Sequence, residues 1–294
     1  MVSIFRSEAG RRAMADWYER FLRELSFECD VLQVDTSLGP TRVLRSGPEE
    51  GTPLVVLHGA LAGAPHALGE FGAVPGRYRT YAVDLAGQSV HAPETRPDVR
   101  TDEYGVWLLE VLDALGLDRV VPCAASWGGF VALNLAVQAP ERIAGLVLVV
   151  PAGVVRSPAL LNLREVAWPM LRYRLGPRTE ARRDAAFAGL LTEPHPMWSP
   201  FLEDAMRHVR IDFKAPPVLS DDRLRTLTSP VLAFGAAHDV SFPGRELVER
   251  VARLWPENAE TELLDCKHVP PFDEAFRSAW SERVDRFLVR RVGL

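Results

Sequence analysis

The sequence is poor in the features that would set it apart from ordinary globular proteins. It has three cysteines, Cys29, Cys123 and Cys266, odd in number and far apart. They form neither a Cys-x-x-Cys spacing nor a disulfide framework, which points to a reducing compartment. The most apolar run, Ile143 to Val155, falls short of the ~20 residues a bilayer requires and is broken by Pro151 and Gly153. Residues 1–6 lack a basic stretch followed by an apolar one, so no secretory signal is expected and the chain is placed in the cytoplasm. Neither sign of charge dominates. Lys and Arg number 34 against 39 Asp and Glu, and the net charge of −5 gives no broad attraction to nucleic acid or an anionic membrane. Internal repeats and low-complexity tracts are absent as well.

What is present suits a large, buried core. The chain has 294 residues, 47% of them hydrophobic, enough for an α/β domain carrying an insertion. Residues 8–25 read as an amphipathic helix, with Trp17, Phe21 and Leu25 at helical spacing. Residues 30–46 read as two short strands around Leu38-Gly39-Pro40. Alternation then sets in. Leu54 to Leu57, Tyr78 to Val83, the stretch entering Cys123, and Leu146 to Val150 read as strands; the runs around Tyr104 to Leu115 and Phe130 to Val137 read as helices. Residues 151–228 interrupt this rhythm with short, proline-punctuated helices and no strand. Strands return at 230–234 and 261–265, with helices over 244–254 and at the C-terminus. Such alternation predicts a mainly parallel sheet covered on both faces, with chemistry at the carboxyl ends of its strands.

Each chemically suggestive residue falls at such an end. Ala124-Ala125-Ser126-Trp127-Gly128-Gly129 follows one strand and opens a helix, putting Ser126 at the apex of a sharp turn of the G-x-S-x-G kind. Small residues two places either side of the serine keep the neighbouring strand and helix clear; here Ala124 replaces the first glycine. Ser126 could merely cap the helix, but its place in the α/β order favours a nucleophile. The first amide of that helix, Trp127 N–H, faces developing negative charge, and Ala60 N–H, after His58-Gly59, is the natural second donor. His58 is expected to brace its loop. Asp239 follows the strand at 230–234, and His268 lies between the last strand and the last helix. A serine needs a base to take its proton, and a carboxylate to fix the tautomer of that base. Asp84, Asp265 and His238 are weaker candidates for those roles, Asp84 being assigned to loop organisation.

The chain resembles the α/β-hydrolase superfamily over nearly its whole length. The resemblance rests on His58-Gly59, Asp84 with Gly87, the Ser126 turn, Gly235 with Asp239, and His268, in that order. The runs Gly47 to Glu50, His58 to Leu61 and Tyr78 to Asp84, with Trp107-Leu108-Leu109, are similar to bacterial carboxylesterases. Ala124 and Gln88 depart from the superfamily pattern without removing a reacting group. The resemblance implies an α/β-hydrolase fold, with residues 1–150 and 229–294 as core and 151–228 as a helical cap. It implies Ser126, Asp239 and His268 as the catalytic set and hydrolysis of a carboxylic ester through an acyl-enzyme. Lactone, thioester or C–C hydrolysis and acyl transfer could use the same set, and a hydrolase-fold ligand receptor is the alternative of another class. Leu61, Trp168, Met197 and Trp198 are candidate substrate-binding residues. The cap arginines Arg172, Arg174, Arg178, Arg182 and Arg183 are expected to form a solvated face. No metal or organic cofactor is implied. The expected partner is a small-molecule substrate, with no nucleic acid or membrane, and the chain is expected to be a monomer or homodimer.

Overall fold

The computed structural model describes residues 3–212 and 215–294. Its eight strands are β1 (Asp30–Thr36), β2 (Gly39–Ser46), β3 (Leu54–Leu57), β4 (Thr80–Val83), β5 (Val121–Ala125), β6 (Leu146–Val149), β7 (Val231–Ala236) and β8 (Ala259–Leu264). They form one sheet in the order β1-β2-β4-β3-β5-β6-β7-β8. β2 runs antiparallel to both its neighbours, and every pairing from β4 to β8 is parallel. The strand order reverses direction around β3, which lies between β4 and β5. A crevice therefore opens beyond the ends of β3 and β5, where Gly59 and Ser126 stand.

The central strands are apolar throughout because both of their faces are covered. In β3, Val55 and Leu57 join one core while Leu54 and Val56 join the other. In β6, Leu146 and Leu148 face the first core and Val147 and Val149 the second. Fully burying each such side chain contributes roughly 1.5–3 kcal/mol. Helices Glu103–Ala114, Trp127–Gln138 and Gly244–Leu254 supply Leu108, Phe130 and Leu247 to the first core. Helices Ala64–Glu70 and Glu274–Phe287 supply Leu68 and Trp280 to the second. Ser7 and Asp273 cap the first and last helices by accepting from Gly10 N–H and Phe276 N–H.

Between β6 and β7, the described residues contain no strand. They form a helix from Ala159 that passes through a π turn into Trp168–Leu175, then helices Glu180–Phe187, Trp198–His208 and Asp221–Leu224. Phe187, Trp198 and Phe201 from this segment share a third apolar cluster with Trp17 and Phe21 of the N-terminal helix (Glu8–Arg23). The outward side of the Ala159–Leu175 stretch leaves Leu160, Leu163, Trp168, Leu171 and Leu175 exposed. Arg172, Arg174, Arg178 and Arg182 are exposed too, whereas Arg183 is largely covered and paired with Asp184.

Two short helices that the sequence reading passes over, Ala64–Glu70 and Val74–Arg77, fill the connection between β3 and β4. Pro65, Gly69, Gly72, Pro75 and Gly76 punctuate that stretch and mask its helical character. All three cysteines are free, and two of them, Cys123 and Cys266, are buried.

Candidate active site

Ser126 sits between β5 and the helix Trp127–Gln138 at φ 48° and ψ −110°. That backbone is costly for a residue with a Cβ and persists only where the surroundings enforce it. Ser126 N–H donates to Val149 O at 2.9 Å, and its carbonyl accepts from Ala152 N–H at 2.9 Å and Gly129 N–H at 3.0 Å. The two glycines behind it are required by space. A Cβ on Gly128 would lie 2.5 Å from Leu57 O, and one on Gly129 would lie 2.5 Å from Pro151 Cβ. Ala124, in contrast, fits in β5, fully buried opposite Leu57.

The imidazole of His268 meets the serine. Ser126 Oγ lies 2.9 Å from His268 Nε2, and His268 Nδ1 lies 2.8 Å from Asp239 Oδ2. An Nδ1–H donating to the carboxylate leaves Nε2 free to accept the serine hydroxyl proton. The other oxygen of Asp239 accepts from Ser241 N–H at 2.7 Å and Phe242 N–H at 3.1 Å, which fixes the carboxylate's orientation. Burial lowers the pKa of His268, but the charge and hydrogen bond of Asp239, with the charge of Glu70, outweigh it and raise the pKa above its ordinary value.

The weaker candidates are occupied elsewhere. His58 is fully buried; its Nδ1 donates to Gly59 O at 2.7 Å and its Nε2 accepts from Leu85 N–H at 2.9 Å. Burial takes its pKa down to about 4, so the ring is neutral and ties the loop after β3 to the loop after β4. Asp84 accepts from Tyr18 O–H at 2.9 Å, Ala64 N–H at 2.8 Å and Ser89 O–H at 2.7 Å. His238 pairs with Asp265 at the exposed surface.

Beyond Gly59, whose Cβ position would lie 3.7 Å from Ser126 Cβ, the chain passes Ala60 and Leu61. Leu61 N–H donates to Gln88 Oε1 at 3.2 Å. Among the described residues, neither Ala60 N–H nor Trp127 N–H donates to a protein acceptor. Gln88, where the superfamily pattern often has histidine, thus holds the loop that carries Ala60.

A cavity of about 230 Å³ opens against Ser126 and His268. The four non-glycine residues with left-handed φ among the described residues, Leu61, Ser126, Val150 and Phe272, all line it. Backbone strain of about 1–3 kcal/mol per residue is thus concentrated around one cavity.

Residues 52–275 match the family described as the alpha/beta hydrolase fold. The chain belongs to that family. This α/β-hydrolase is 27% identical to an uncharacterized carboxylesterase, nap, of Bacillus subtilis, over 95% of this chain and 94% of the relative. It is 26% identical to carboxylesterase YbfK of the same organism, over 81% of each chain. The crystal structure of naproxen esterase from Bacillus subtilis superposes with a TM-score of 0.78 at 27% identity, covering 96% of this chain and 99% of that one.

The hydrolase cavity takes in two of the four expected substrate-binding residues, Leu61 and Trp198. The other two lie outside its lining. Trp168 is 55% exposed, on the outward side of its helix. Met197 lines a neighbouring cavity, and its sulfur lies 3.9 Å from the Arg20 guanidinium. Apolar composition alone does not tell which side of a short helix faces inward. Phe71, Phe272, Phe276, Trp280 and Glu70 also line the cavity and were not singled out from the sequence. Glu70 ends the helix Ala64–Glu70, and the only sequence signal for it is a lone carboxyl in the apolar, glycine-rich stretch following His58-Gly59.

Proposed function

We propose that the protein is a serine hydrolase that cleaves carboxylic esters of small, predominantly apolar molecules through an acyl-enzyme on Ser126. The observation that carries this reading is the continuous hydrogen-bonded line from Ser126 Oγ through His268 to Asp239. His268 Nε2 takes the hydroxyl proton as Ser126 Oγ attacks the ester carbonyl. The Ala60 and Trp127 amides receive the oxyanion, each worth roughly 3 kcal/mol. His268 then gives its proton to the departing alcohol, and water repeats the cycle on the acyl-enzyme. Asp239 holds the tautomer and stabilises the imidazolium.

Within this reading, residues 151–228 form the cap and residues 1–150 with 229–294 the core. The cap contributes Leu190, Trp198 and Leu202 to the apolar cavity wall. The carboxylesterase relatives support an ester as the scissile group. Three unpaired cysteines fit a cytoplasmic enzyme.

Labelling with a fluorophosphonate followed by peptide mapping tests the nucleophile. The label is expected on Ser126 and lost in Ser126→Ala, with ester turnover cut about 10³- to 10⁶-fold while the fold persists. Wild-type-like turnover in that variant refutes the assignment.

A further inference from the structure

Among the described residues Glu70 is the only carboxyl group lining the cavity beside Ser126; its charge helps to raise the pKa of His268, but the proposed mechanism gives it no contact with the reacting atoms. Among the described residues its side chain has no hydrogen bond and no ion pair. The nearby basic residue Arg277 lines a second cavity, which Glu70 also borders, yet it forms no salt bridge with the carboxyl; its guanidinium lies over Phe272. The carboxyl is partly buried among apolar side chains at the cavity wall, where it loses some of its water and stays open to whatever occupies the cavity. Burial accordingly pushes its pKa up to about 7, against the lowering influence of His268.

The surroundings of Glu70 define what would satisfy it. Phe71, Trp198, Phe272, Phe276 and Trp280 line the same cavity. Aromatic faces attract cations, most strongly where water is excluded, and a carboxylate among them adds a charge-assisted hydrogen bond. A neutral hydroxyl would gain only the hydrogen bond, and a second carboxylate would be repelled.

We propose that Glu70 and the aromatic wall form an ammonium subsite, so that the preferred substrates are esters carrying a protonated amine in their acyl or alcohol part. This rests on the ester-hydrolase reading for turnover, although the subsite itself binds without chemistry.

Two measurements separate the ideas. In the first, kcat/KM is compared for 2-(dimethylamino)ethyl butanoate and its uncharged isostere 3-methylbutyl butanoate, in the wild type and in Glu70→Gln. The ratio favouring the amine ester is expected to fall about tenfold or more in the variant, one tenfold step being about 1.4 kcal/mol. An unchanged ratio overturns the proposal. In the second, binding of benzylammonium and of benzyl alcohol to Ser126→Ala is measured by calorimetry. The ammonium is expected to bind about tenfold more tightly or better, and Glu70→Gln on that background is expected to remove the difference. Equal binding of the two probes overturns the proposal whatever the fate of the Gln variant. A clear preference for benzylammonium in a protein that cleaves neither ester leaves the subsite standing and removes the hydrolase reading instead.

Discussion

At His268, burial works against the charged imidazolium, while the charge and hydrogen bond of Asp239 and the charge of Glu70 work for it. The favourable influences win, so the ring holds its proton to a higher pH than the ordinary value of about 6.5. Only the neutral ring can accept the Ser126 proton. Hydrolysis of an uncharged ester should therefore fall on the acid side with a midpoint above ~6.5. Removing one of the raising charges, in Glu70→Gln, should move that midpoint to lower pH. Both outcomes are read from kcat/KM against pH. A limb that stays flat well below ~6, or one that Glu70→Gln moves upward, would contradict this account of the ring's environment.

The turn around Ser126 shows how a single element aligns several residues at once. Gly128 allows the helix Trp127–Gln138 to start against the carbonyl of Leu57, and the loop after β3 comes up to the serine, with the Gly59 Cβ position 3.7 Å from Ser126 Cβ. Gly128→Ala would place a methyl group into backbone that has no side chain to swing aside. The expected cost is about 1–3 kcal/mol in stability from overpacking. Displacing the two amides should lower kcat on the order of 10²-fold. Ala124→Gly, restoring the superfamily residue, should instead leave kcat little changed and cost about 0.5–1 kcal/mol, because a central strand loses a buried methyl and gains backbone freedom. Urea unfolding together with kcat for the two variants decides this; a harmless Gly128→Ala would show that the packing here yields. At this scale the sequence was highly legible. Strand-turn-helix order located Ser126, Asp239 and His268, since each follows a strand whose apolar run is unmistakable. The helix Ala64–Glu70 was not legible, because it is short and its proline and glycines resemble a loop. Glu70 was missed with it. The exposure of Trp168 was hidden for a related reason: in a short, mixed helix, apolar character does not reveal which side meets solvent.

Across the whole molecule, Asp84 joins parts that are distant in sequence. Its carboxyl, at the end of β4, receives hydrogen bonds from Tyr18 on the N-terminal helix, from Ala64 at the start of the helix following the Ala60 loop, and from Ser89. It is wholly buried, and burial raises its pKa to about 6 even though all three hydrogen bonds favour the anion. Asp84→Ala would strand three donors, each costing about 1–3 kcal/mol if water does not reach it, so a loss of several kcal/mol is expected. Asp84→Asn keeps one acceptor for Ala64 N–H and Ser89 O–H and presents its NH₂ to the Tyr18 oxygen, so it should retain most of the stability. The two variants separate hydrogen bonding from charge. A carboxyl whose folded pKa is raised contributes most below its unfolded pKa, near 3.8, and loses that contribution as pH rises through about 6. The stability of the wild type relative to Asp84→Asn should therefore decline by roughly 3 kcal/mol between about pH 4 and pH 7. Urea unfolding across that range measures it. A wild type that instead gains on Asp84→Asn as pH rises would mean that the three donors, not burial, set the state of Asp84, and that the anion is what ties the N-terminal helix to the Ala60 loop.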